Sequence, residues 1–133
     1  KGISAGHGNN SYRGRVKVMP KAENARNYVK NNTNYNGRIK NPVLTLHTVI
    51  DPLVVVANES AYAELIASTG REDQLFQAYT SGVGHCNFTG PQILTAVGAI
   101  DLWVRTGVRP TPAQFPAALG FVPGFVPPPM LQP

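Results

Sequence analysis

The stretch PVLTLHTVIDPLVVVANESAYAELIASTGREDQLFQAYTSGVGHC, residues 42–86, decides the fold. Val43 to Thr48 is a short apolar, β-branched run behind Pro42, the signature of a buried strand. Asp51-Pro52 ends it. Asn58 is placed to cap a helix running to about Thr69, with Tyr62, Leu65 and Ile66 on its inner face and Gly70 as its stop. Leu75 to Thr80 reads as a second strand, and Gly82 and Gly84 open a loop around His85. Downstream, Thr89 caps a second helix, with Pro91 in the first turn and Gln92 at the capping-box position. Its expected buried face is Ile93, Leu94, Val97, Ile100 and Val104, and Gly107 ends it. The order strand, helix, strand, helix predicts an α/β fold with a parallel pair of strands.

On either side of this core, residues 41–107, the composition changes. Residues 1–40 form an irregular lead-in rich in Gly, Asn and basic residues, in which Ala22 to Lys30 has the makings of a short helix. Residues 108–133 hold most of the prolines, ending in Phe125-Val126-Pro127-Pro128-Pro129, and are expected to lie extended over a surface. The net charge of +5 comes largely from Lys1, Arg13, Arg15, Lys17, Lys21, Arg26, Lys30, Arg38 and Lys40. No nucleic-acid-binding motif accompanies that charge, so a solvated basic surface is the expected reading and nucleic acid is not an expected partner. No apolar run reaches the ~18 residues of a membrane span. Cys86 is the single cysteine, so it has no disulfide partner within the chain. It follows His85 directly, and neighbouring side chains ordinarily diverge, which makes it an unattractive nucleophile. The compartment stays open, secretion included.

Asp51 and His85 form the candidate site. Each lies just past the end of a predicted strand, and parallel strands deliver their C-terminal ends to one edge, where ligand sites of open α/β sheets form. The separation of 34 residues leaves room for one helix and one strand. A carboxylate that fixes the tautomer of a histidine makes that histidine a directed base near neutral pH. Glu59 and Asp101 are weaker partners, because the first sits in a helix's first turn and the second on a helix surface. His47 is expected to pack in the core beside Thr45, with no zinc-ligand spacing around it. His7 reads as a surface residue in a polar loop, and Phe88 and Trp103 read as core. The sequons at Asn9, Asn31, Asn58 and Asn87 are what an Asn-rich chain produces by chance.

The stretches GRIKNPVLTLHTVIDPLVVV, SAYAELIASTG and GVGHCNFTGPQILTAVGAIDLWVRTGVRPT, between Gly37 and Thr111, resemble the C-terminal end of bacterial α/β-hydrolase-fold serine esterases related to the prolyl-oligopeptidase-like hydrolases. The resemblance covers a little over half the chain. It implies hydrolysis of a small-molecule carboxylic ester without a cofactor, with Asp51 as the triad acid and His85 as the base. The chain order Ser, Asp, His then places the nucleophile upstream of Asp51.

Gly2-Ile3-Ser4-Ala5-Gly6 matches the nucleophile-elbow pattern, but an elbow needs a strand before it and a helix after it. Only Lys1 precedes Ser4, a poor helix start follows, and only Arg15 to Met19 offers the further strand required before Asp51. The serine is therefore expected on an upstream polypeptide segment, against which this part of the sheet would fold. A non-catalytic C-terminal fragment serving as a folding or assembly partner, and a serine peptidase of the same fold, are the alternatives.

Overall fold

A computed structural model describes residues 20–33 and 35–130. The chain divides into two compact units, Lys1–Tyr35 and Asn36–Pro133. In the first, helix α1 spans Pro20–Asn32, with Glu23 in its first turn and Lys30 in its last, the charge placement that the helix dipole favours. Its last turn is closed by the Thr33 N–H and hydroxyl, both donating to Val29 O at 2.8 Å. Ser4, His7 and the Arg15 to Met19 segment lie outside the described residues.

The second unit is α/β. Strand β1 (Val43–Ile50) and strand β2 (Leu75–Val83) pair in parallel, from Val43 opposite Leu75 to Thr48 opposite Thr80, with an irregularity between Thr48 and Ile50. Helix α2 (Ala57–Ala67) connects them, and helix α3 (Gly90–Thr106) follows. The order β1-α2-β2-α3 is the one expected, and both strands run past the residues assigned to them from sequence. Helix α2 begins differently. Val56 occupies its N-cap without a side-chain cap, and Asn58 lies inside the helix, because the N–H groups of Asn58 and Glu59 close a turn onto the carbonyls of Val55 and Val56. Helix α3 follows the sequence at both ends. Thr89 and Gln92 form a reciprocal capping box, and Gly107 ends the helix at φ 73°.

Alternation along the strands sorts the two faces. Phe76, Ala78, Leu44 and Leu46 face α3 and the tail, where they pack with Ala99, Trp103, Phe115 and Phe121. Phe115 stacks on Phe76 at 4.9 Å and meets Phe121 edge-on at 5.1 Å. The opposite face carries a polar network under α2. Thr45 Oγ1 and Gln77 Nε2 each donate to Glu59 Oε2 at 2.6 Å, and Tyr79 OH donates to Gln77 Oε1. Burial, helped by the Glu59 carboxylate, holds the Tyr79 phenol above its ordinary range.

Two expectations need correction here. The buried face of α3 is Gln92, Ala96, Ala99 and Trp103, whereas Ile93, Leu94, Val97 and Val104 are exposed. The tail is no passive cover: it supplies Phe115 and Phe121 to the core and pairs with β2 through an antiparallel bridge between Thr80 and Phe121.

Candidate functional site

Beyond Ile50 the chain turns at Asp51-Pro52, and Asp51 Oδ1 accepts from the backbone N–H groups of Leu53 and Val54 at 2.8 and 2.9 Å. Such an Asx turn leaves the second oxygen aimed in a fixed direction. That oxygen, Oδ2, accepts from His85 Nδ1 at 2.8 Å. The carboxylate is 4% exposed and the imidazole 43%. Burial raises the Asp51 carboxyl, but the Val54 N–H, the His85 ring and the Leu53 N–H outweigh it and bring the value down to about 2.

The loop carrying His85 is tied to the strand ends. Gly84 N–H donates to Ile50 O, Thr48 Oγ1 donates to Gly84 O, and Asn87 Nδ2 donates to Val83 O. Gly82 is required by space, since a Cβ there would lie 2.7 Å from Asn87 O. The two residues singled out by strand-end position are therefore in direct contact.

With Nδ1 donating to Asp51, His85 presents Nε2 as an acceptor. Cys86 Sγ lies 3.5 Å from it. Side chains of neighbouring residues converge here because Cys86 has φ 53°, the only positive φ of a non-glycine among the described residues. Sequence reasoning set Cys86 aside on the expectation of divergence, and the left-handed turn removes that objection. Carboxylate, imidazole and exposed thiol stand in a row at the C-terminal edge of the strands.

The other candidates are accounted for locally. His47 is 9% exposed, with Nδ1 2.8 Å from Thr48 O. Glu59 belongs to the network under α2, and Asp101 pairs with Arg105 one turn along α3. Trp103 is core at 3% exposure, and Phe88 is half-buried. Among the described residues no group of three or more His, Cys, Asp or Glu is placed to hold a metal ion, and no helix is long and apolar enough to cross a membrane.

The chain is similar to iron-sulfur cluster assembly SufBD family proteins. It is 41% identical over 87 residues to the chloroplastic protein of that name from Arabidopsis thaliana, covering 64% of this chain and 14% of the relative. It is 42% identical over 85 residues to the protein of the same family from Synechocystis, covering 62% of this chain and 16% of the relative. An o-phthalyl amidase from Xanthobacter agilis is 30% identical over 70 residues, 53% of this chain and 16% of that enzyme. The chain thus spans about one seventh of the length of these relatives. A match to 64% of the chain takes in its middle, α2 included, wherever it begins. No family model matches the chain, and no solved structure does.

These relatives overturn the resemblance to serine esterases. The relatives at 38–42% identity are iron-sulfur cluster assembly proteins by name. With that resemblance falls ester hydrolysis, and with it the peptidase alternative; Asp51 and His85 remain a contacting pair, and Ser4 lies outside the described residues. The β-α-β-α order holds, but strand-end Asp and His are common to many α/β proteins, and a fold does not fix a function.

Proposed function

We propose that this chain is a module of a longer protein working in iron-sulfur cluster assembly, in which His85 and Cys86 bind iron as cargo and Asp51 holds the histidine. The observation that carries the reading is the 3.5 Å between His85 Nε2 and Cys86 Sγ. Two ligands on one tetrahedral ion, at ~2.3 Å for sulfur and ~2.0–2.1 Å for nitrogen, stand ~3.5 Å apart. Asp51 meets the further requirement that a ligating imidazole donate its other N–H to a partner, which fixes the tautomer and the orientation of the ring. Thiolate and imidazole together suit iron in its sulfur clusters.

A pair of ligands leaves coordination positions for sulfide or for another polypeptide. That is the arrangement a protein needs if it is to pass a cluster on rather than keep it. The names of the SufBD relatives point to the same chemistry.

Anaerobic incubation with ferrous iron and sulfide tests the proposal. The chain should retain iron and acid-labile sulfide through gel filtration. His85→Ala and Cys86→Ser should each lower the retained iron about tenfold or more. Retention that is absent, or that both variants leave intact, would count against the site.

A further inference from the structure

At the other end of the sheet, a groove of about 610 Å³ runs along the outer edge of β2. Its floor is the strand itself, Leu75 to Tyr79. Ala63 and Ala67 of α2 form one wall, Phe115 and Phe121 the other, and the tail from Val122 to Pro127 closes one end. The volume and the mostly apolar lining are those of a binding cleft. The groove shares no residue with the Asp51–His85–Cys86 row.

The floor carries unmet backbone chemistry. Leu75 O accepts from Arg109 Nε and Nη2, Tyr79 O accepts from Val122 N–H, and Ser81 N–H donates to Gly120 O. Residues two apart in a strand point their backbone groups the same way. Gln77 therefore also points its N–H and C=O outward, away from β1 and into the groove, and neither is bonded by the tail or the loops among the described residues. The tail covers the edge from Ser81 to Tyr79 and then leaves it at Pro123, which has no N–H to donate, and Gly124 turns with φ 79°. The edge between Tyr79 and Leu75 is thus an interrupted antiparallel ladder with apolar walls on both sides.

We infer that this groove docks an extended peptide strand, added antiparallel to the outer edge of β2 where the tail's own pairing stops. The outward N–H and C=O of Gln77 are a donor and acceptor pair that a residue of another backbone matches, and walls on both faces take the side chains beside it. Both walls are apolar, so the peptide carries apolar residues on both of its faces. Glu64 and Glu72 also line the groove and are exposed, so a Lys or Arg at that end is favoured. Arg109 also lines the groove and keeps its positive charge while donating to Leu75 O and lying 5.4 Å over the Phe76 ring, so against the two carboxylates the lining is left one charge negative.

A phage library of random octapeptides, selected on the chain and counter-selected on Ala67→Trp, tests the inference. Ala67 is exposed, so the indole fills the groove rather than the core; circular dichroism and the melting temperature check that the variant folds. Enriched peptides, made synthetically, should bind the wild type about tenfold or more tighter than Ala67→Trp. A scan of single backbone N-methyl groups along them should abolish binding at the one residue whose N–H meets Gln77 O. Failure to enrich any sequence over the variant overturns the inference. So does a flat N-methyl scan, which would mark the groove as a pocket for apolar side chains or small molecules alone.

Discussion

Cys86 gains its place in the site through one backbone angle. At φ 53° its side chain swings toward the ring of the residue before it, at a conformational cost of about 1–3 kcal/mol that the surrounding loop must over-determine. The ties from Gly84 to Ile50 and from Asn87 to Val83 supply that determination. Pattern alone indicated Asp51 and His85, because strand ends are visible in sequence; the convergence of Cys86 was hidden, since nothing in the residue type announces a left-handed turn. The Asp51 carboxyl supplies a prediction with a sign. Its folded value of about 2 lies below its ordinary 3.8, so its contribution to stability is present above 3.8 and is lost as pH falls through about 2. Asp51→Asn should therefore lower the denaturation midpoint near neutral pH, and the difference from wild type should shrink between about pH 4 and pH 2. A difference that stays constant down to about pH 2 would mean the carboxylate is not held as described.

Helix α3 shows what periodicity can and cannot deliver. Two stripes at helical spacing compete on it: Gln92, Ala96, Ala99, Trp103, and Ile93, Val97, Ile100, Val104. Hydropathy favours the second, yet the first is buried, because two alanines let the helix approach the sheet closely and Trp103 fills the space beyond them. Gln92 is tolerated at 4% exposure because its Oε1 accepts from Thr89 N–H and its Nε2 donates to Leu119 O. The caps, by contrast, were legible, since Thr89, Gln92 and Gly107 act through local backbone chemistry that distant packing does not change. Trp103→Ala should cost about 3–5 kcal/mol in denaturant unfolding. Leu94→Ser, at a position 73% exposed, should stay within about 0.5 kcal/mol. The reverse ranking would restore the hydropathic face.

At the scale of the whole molecule, the tail closes the second unit. A Pro-rich segment cannot form a regular helix or an interior strand, and from sequence it looked like a surface cover. Its aromatic residues decide otherwise: Phe115 is 2% exposed and Phe121 3%, and Tyr79 meets Phe125 at 5.0 Å. Ser60 Oγ donates to Pro128 O, tying the tail to α2. Phe115→Ala should cost about 3–5 kcal/mol, as much as a substitution in α3. A cost under about 1 kcal/mol would mean that the tail packs only loosely. The α/β order was readable because apolar runs, helix stops and strand-end turns are local signals. Function was not: the pair seen at the strand ends serves several chemistries, and relatives of which the match covers 14–16% shift the reading from hydrolysis to cluster assembly.

Cobalt(II) titration under anaerobic conditions probes the His85–Cys86 pair itself, because a thiolate–cobalt bond gives its own near-ultraviolet charge-transfer band. Wild type should develop that band with one equivalent of cobalt; Cys86→Ser should lose it, and His85→Ala should need about tenfold or more cobalt to reach it. A wild-type spectrum without the band, or a band that persists in Cys86→Ser, would contradict the assignment of His85 and Cys86 as joint ligands.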